Sequence, residues 1–142
     1  MFRFLSAILF LLMPSALNAG LDDHFANIQI SVIHLGVDPE NSDRTALGLS
    51  LENPDPIDLI LRGMITNYGE ARFRKVSKIF GTEIMSEPPF IAIPSEATTE
   101  IAPPEFWFSI DESFAPDKYY GFGLDFGPYG QVFYEINRPE DF

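Results

Sequence analysis

The stretch Phe106-Trp107-Phe108-Ser109-Ile110 (FWFSI) decides the fold class of this chain. Successive side chains of a β-strand point to opposite faces, so Phe106, Phe108 and Ile110 share one face and Trp107 and Ser109 the other. The apolar set is predicted to face a core. Trp107 and Ser109 then occupy the face on which a functional site could be built.

The same alternation recurs along the chain between turn signals. Leu47, Leu49 and Leu51 give the cleanest strand, which stops at Asn53-Pro54-Asp55-Pro56 because proline cannot continue a ladder. Residues 79–85, with Gly81 in the middle, are ambiguous. Further strands are predicted at residues 28–33, 57–65, 71–76, 90–93, 98–101, 120–126 and 132–136, and loops at 38–43 and 111–118. About eight or nine short strands without a helical period predict an all-β sandwich.

The first nineteen residues have the shape of a secretory signal peptide. Arg3 precedes an apolar run over residues 4–13, and Pro14 and small residues follow, ending at Ala19. We therefore expect a signal peptide at residues 1–19, a flexible lead-in at 20–27, one domain at 28–137 and an acidic tail at 138–142. The mature protein is expected to be soluble, periplasmic or secreted, with no membrane insertion after signal cleavage.

Composition excludes several classes of function. The chain has no cysteine, which excludes disulfides, thiolate metal sites and thiol nucleophiles. The formal net charge of −12 repels nucleic acid phosphates and anionic lipids. No Gly-x-Ser-x-Gly motif or phosphate-binding glycine loop is present, and the carboxylate pairs lie in the tails, so the protein is not expected to be an enzyme.

The order of the motifs resembles that of the periplasmic copper chaperones of the PCu(A)C type. The resemblance rests on a strand ending in asparagine (residues 47–53), on Asp58 and Leu59, on the isoleucine-proline step at Ile93, and on a final hairpin over residues 121–136. It implies a cupredoxin-like Greek-key β-sandwich and a role in periplasmic copper handling or in assembly of an oxidase copper centre.

In that family His and Met side chains from separate strands hold Cu(I), a soft ion that prefers thioether and imidazole ligands. Carried across, the ligand positions fall on Arg74, Met85, Trp107 and Ser109. Met85 alone keeps a ligand of the family, so the resemblance implies a degenerate copper site with Met85 as its metal residue. The other methionine after the signal peptide, Met64, is expected in the core.

A basic patch suggests a different function. Five of the nine cations of the chain lie between residues 62 and 78: Arg62, Arg72, Arg74, Lys75 and Lys78. The alternative hypothesis is therefore a metal-independent interaction module that docks a protein partner through Arg72, Arg74, Lys75 and an exposed Trp107. Trp107 is expected either to be this anchor or to fill the space left by the missing metal ligands.

Overall fold

The computed structural model describes residues 26–136. The predicted signal peptide, most of the lead-in and the acidic tail lie outside the described residues. The described part contains no α-helix, and hence no helix that could cross a bilayer. It contains β1 (Gln29–Val37), β2 (Thr45–Asn53), β3 (Leu59–Leu61), β4 (Gly63–Thr66), β5 (Gly69–Glu70), β6 (Arg72–Ile79), β7 (Thr82–Ser86), β8 (Ile91–Ile93), β9 (Ala97–Ile101), β10 (Phe106–Ile110), β11 (Tyr120–Asp125) and β12 (Gln131–Ile136).

The strands form three antiparallel sheets. The larger sheet has the order β1-β2-β10-β6-β7, and β9 also pairs with β2. The smaller sheet has the order β12-β11-β4-β5, and β3 and β8 form a two-stranded sheet. Neighbours such as β2 and β10, or β11 and β4, are far apart in the sequence, as in Greek-key folds. The predicted all-β sandwich is confirmed.

One apolar core lies between the sheets. Leu47 and Leu49 of β2 are fully buried in the same cluster as Met64 and Leu124 of the smaller sheet. Phe108 of β10 is also fully buried in this core, as the alternation predicted. Because β10 pairs with β2 on one side and β6 on the other, it fixes which side chains reach the outer face of the larger sheet.

Residues 57–65 do not form the single strand that their apolar sequence predicted. β3 pairs with β8, whereas β4 pairs with β11 in the smaller sheet. Between them, the backbone N–H of Arg62 donates a hydrogen bond to the carbonyl of Asp125 at 2.8 Å. The chain therefore changes sheets at Arg62. An apolar run reports burial and not the partner of each strand, so the sequence could not separate β3 from β4.

The first strand is longer than predicted. It was expected to end near His34, but β1 continues to Val37 with an irregular register between Val32 and His34. Such an irregularity re-aims the side chains that follow it. Because of this extension, Asp38 comes directly after β1.

β6 and β7 form a hairpin across the segment that the sequence left ambiguous. Ile79 pairs with Thr82, so the turn consists of Phe80 and Gly81 alone. Both have positive φ, at 51° and 81°, as a two-residue type I′ turn requires. Glycine adopts this conformation freely, but the Cβ atom of Phe80 clashes with the backbone there. Phe80 is also fully exposed, so no packing against residues 26–136 offsets this strain.

Asn53 joins β2 to the two-stranded sheet. Its fully buried Nδ2 lies 3.0–3.2 Å from the carbonyl oxygens of Ile57, Ile93 and Pro94. Its Oδ1 accepts a hydrogen bond from the backbone N–H of Asp55 at 3.1 Å. The asparagine that ends the second strand thus satisfies backbone groups that turns and prolines leave unpaired.

Replacing Asn53 is therefore expected to destabilise the fold. Asn53→Ala leaves buried carbonyl groups without donors and should lower the free energy of unfolding by about 2–3 kcal/mol. Urea unfolding measures the change. Asn41→Ala, at an exposed position, is the control and should change stability by less than about 0.5 kcal/mol. Equal effects of the two substitutions would contradict the role of Asn53.

The Phe80 turn gives a prediction of opposite sign. Asn tolerates positive φ, so Phe80→Asn should raise the thermal midpoint by about 3–5 °C although it removes a large apolar side chain. Thermal unfolding followed by circular dichroism measures the shift. A fall in the midpoint would mean that the Phe80 ring makes stabilising contacts.

Candidate functional site

The four positions that the resemblance assigns to copper ligands lie on one face of three neighbouring strands. Trp107 and Ser109 of β10 point away from the core, and Trp107 pairs directly with Arg74 of β6. Met85 of β7 pairs with Val76, two residues beyond Arg74. Paired residues, and residues two apart in a strand, share a face. All four side chains therefore belong to the outer face of the larger sheet.

Trp107 is buried on this outer face. Its side chain is 1% exposed, and its indole N–H donates a hydrogen bond to Asp38 Oδ2 at 3.1 Å. The structure corrects the expectation of an exposed aromatic anchor at this position. The other expectation, that the ring fills the space left by missing metal ligands, stays a prediction. β10 is thus buried on both faces.

The carboxylate of Asp38 is the centre of a buried hydrogen-bond network. Oδ2 accepts from the Trp107 indole and from the hydroxyl of Ser109, the latter at 2.6 Å. Oδ1 accepts from the backbone N–H groups of Glu40 at 2.8 Å and Asn41 at 3.3 Å. Four donors compensate for the water that the carboxylate loses on burial.

Ser109 connects this carboxylate to Arg44. Its hydroxyl gives its only hydrogen to Asp38 and accepts a hydrogen bond from Arg44 Nε at 2.7 Å. Arg44 Nη2 also donates to the Ser109 carbonyl at 3.1 Å, and Nη1 forms an ion pair with the exposed Asp111 at 3.2 Å. The Ser109 hydroxyl therefore bridges the buried carboxylate of Asp38 and the guanidinium of Arg44.

Arg74, beside Trp107, is neutralised by two carboxylates. Its Nε and Nη2 donate to Glu40 at 2.7–3.0 Å, and Nη1 donates to Glu87 at 2.7 Å. The arginine side chain is 15% exposed. Since Glu40 and Asp38 belong to the same loop, this loop covers both Trp107 and Arg74. The charge of Arg74 is engaged within the chain.

The other two predicted partner-binding cations point to solvent. Lys75 is exposed, with its Nζ 5.6 Å from the centre of the Phe106 ring. Arg72 is exposed and lines an open cavity of about 340 Å³ together with Arg62, Glu70 and Glu87. Neither Lys75 nor Arg72 has an ion pair with a carboxylate of residues 26–136. Of the three cations predicted to bind a partner, Arg74 is paired with carboxylates of the chain, whereas Arg72 and Lys75 are exposed.

The remaining soft metal ligands do not converge. His34 is on β1 and Met85 on β7, at opposite edges of the larger sheet and about 19 Å apart at the usual strand spacing. Met64 is buried in the core, as expected. His34 Nε2 is buried without a hydrogen-bond partner in the described part of the chain. Nowhere within residues 26–136 do three His, Asp or Glu side chains form a metal-binding group.

The network depends on residues that the sequence reasoning missed. Asp38 and Glu40 come from a segment that its composition predicted only as a loop, and Arg44 directly follows that segment. One signal was available. An arginine or an indole N–H at a ligand position needs a carboxylate nearby, and the acidic side chains just after β1 offered one.

Comparison with known proteins supports the fold. No family model matches the chain, and no curated protein matches it. Among solved structures, it is similar to the copper-bound PCuAC domain from PmoF2, with 19% sequence identity and a TM-score of 0.59 over 80% of this chain and 93% of that one. The chain has the PCuAC fold. This confirms the cupredoxin-like β-sandwich that the motif order implied.

A second solved structure, the sporulation control protein Spo0M from Bacillus subtilis, matches at 10% identity and a TM-score of 0.41, over 80% of this chain and 48% of that one. A TM-score of that size does not establish a shared fold. The copper in the PCuAC structure belongs to the PmoF2 domain.

The Asp38 network is expected to make a large contribution to stability. Asp38→Ala removes a buried charge and leaves the Trp107 indole and the Ser109 hydroxyl without their acceptor, so the free energy of unfolding should fall by about 3–5 kcal/mol. Denaturant unfolding measures it. The control is Asp43→Ala, at an exposed position of the same loop, which should cost less than about 0.5 kcal/mol. A similar small loss for Asp38→Ala would mean that the network does not hold the fold.

Proposed function

We propose that this chain is an exported, non-enzymatic protein of the PCuAC fold that acts in copper handling by binding a protein partner, with a degenerate copper site that no longer carries Cu(I). The observation that supports this proposal best is the network at the former ligand face. Arg74, Trp107 and Ser109 are all committed to carboxylates of the chain itself.

The chemistry of these three residues does not fit Cu(I). A guanidinium stays protonated and an indole offers only an N–H donor, so neither supplies a lone pair. The Ser109 hydroxyl is a hard ligand for a soft ion and is already held between Asp38 and Arg44. Met85 alone cannot hold the ion.

Partner binding is the part of the family role that survives the loss of cargo. By resemblance, the partner would belong to the assembly of a copper-containing respiratory oxidase, and the signal-like segment at residues 1–19 supports an encounter in the periplasm. Arg72 and Lys75 remain exposed in a strongly acidic protein, which favours an acidic contact surface on the partner.

The alternative is a metal-independent interaction module with no connection to copper. It shares the docking residues and differs only in the partner. The exposed cations favour both hypotheses equally, whereas the PCuAC fold favours the copper-related one. Identifying the partner as a copper protein or not separates the two.

The degenerate site can be tested with a Cu(I) competition titration. The protein spanning residues 20–142 is titrated against a chromophoric Cu(I) chelator, in parallel with Met85→Leu, which keeps the volume of the side chain and removes the thioether. We expect that neither protein withdraws copper from the chelator and that the two curves coincide, because one thioether cannot compete with the chelator.

Stoichiometric copper binding that weakens in Met85→Leu would contradict the degenerate-site proposal and identify Met85 as a ligand. Binding that is equal in both proteins would place the copper elsewhere in the chain. That result would also contradict the proposal that the chain carries no Cu(I).

A further inference from the structure

The tip of the β6–β7 hairpin is an exposed apolar surface. Phe80 is fully exposed at 103%, and Ile79 and Ile84 are 51% and 44% exposed. Ile84 pairs with Ser77, two residues before Ile79, so the two isoleucines share a face of the hairpin. β7 is the edge strand of the larger sheet. Large apolar side chains clustered on a protruding edge are typical of interaction sites.

The backbone conformation at the tip supports a role for Phe80 in binding a partner. Phe80 has a φ of 51°, a conformation that Asn or Gly adopts more easily, and its fully exposed ring is not packed against residues 26–136. A strained residue that contributes nothing to packing is a candidate for a role outside the folded chain.

Two lysines accompany the apolar tip. Lys75 lies on the face shared by Ile79 and Ile84, and Lys78 lies on the opposite face. Neither forms an ion pair with a carboxylate of residues 26–136, although Glu83 is the cross-strand neighbour of Lys78. In a chain of net charge −12, the hairpin is thus an apolar tip flanked by unpaired positive charge.

We propose that this hairpin is the docking element of the protein, with Phe80 as its anchor, and that the partner is a protein with an apolar pocket rimmed by carboxylates. The inference rests on the partner-binding role proposed above and assigns it a surface. The pocket would receive Phe80, and its rim would face Lys75 and Lys78. Aromatic anchors surrounded by charge complementarity are the usual centre of such contacts.

Charge favours this occupant over two others. In a symmetric contact between two copies of the chain through this hairpin, each side would carry two lysines and one glutamate, Glu83, so that a net positive charge would face a net positive charge. A bilayer rich in anionic lipids would be repelled by the rest of an acidic protein. An apolar pocket with carboxylates only at its rim sets its negative charge against the two lysines, whereas an extended anionic surface also faces the rest of the acidic chain.

The test is site-specific photocrosslinking of the full chain in its native cells. Phe80 is replaced by p-benzoylphenylalanine, which keeps the aromatic ring. The matched control carries the same photoprobe at Phe133, which is 69% exposed and lies on β12 in the smaller sheet. We expect one protein adduct from position 80, about tenfold stronger than from position 133, with the crosslink mapped to an apolar site flanked by Asp or Glu.

Two variants separate docking from folding. Lys75→Glu with Lys78→Glu should weaken the adduct from position 80 about tenfold. Phe80→Asn, with the photoprobe moved to Ile84, should lose the adduct while its thermal midpoint stays at or above that of the parent carrying the same photoprobe. Loss of the adduct together with a lower midpoint would assign Phe80 a structural role and overturn the proposal.

The remaining outcomes of the crosslinking experiment also test the proposal. An adduct between two copies of the chain, adducts with lipid alone, or no adduct at position 80 would each overturn the hairpin as the docking element. A protein adduct from position 133 alone would keep partner binding and reject the hairpin. Failure of the proposed function is read separately, from stoichiometric Cu(I) binding in the titration.

Discussion

The structure depends on how the buried carboxylate of Asp38 is satisfied. A carboxylate out of water is stable only when donors surround it, and here they come from an indole, a hydroxyl and two backbone amides. The indole and the hydroxyl belong to β10, and the two amides belong to the loop after β1. Asp38 in this loop and Trp107 on β10 are 69 residues apart in the sequence. The bonds fix the loop over the outer face of the sheet. That cover is what allows Trp107 to be buried.

The network cross-links segments that are far apart in the sequence. In this chain, carboxylates tie the loop after β1 to β10 through Asp38, and to β6 through Glu40 and Arg74, while Glu87 extends the contact beyond β7. Ionic and hydrogen-bonding groups thus connect the loop after β1 to the strands of the outer face.

Most of the fold could be predicted from alternation, because burial on one face of a strand is a local property of the sequence. The strands at Leu47 to Leu51 and at Phe106 to Ile110 followed directly. The burial of Trp107 could not be predicted, since the residues that cover it are distant in sequence and polar. Phe80 escaped notice because its exposure arises from a turn whose backbone conformation the residue itself disfavours.

The order of the strands has a consequence for folding kinetics. β10 is the central strand of the larger sheet and pairs with β2 and β6, both synthesised well before it. Arg44 and Ser109, which meet at this junction, are 65 residues apart. Closing such long loops is slow compared with local contacts, so high contact order delays the sheet until the last third of the chain is available. A nascent chain of this topology can form local hairpins such as β1–β2 early, but its larger sheet stays divided until β10 has been synthesised.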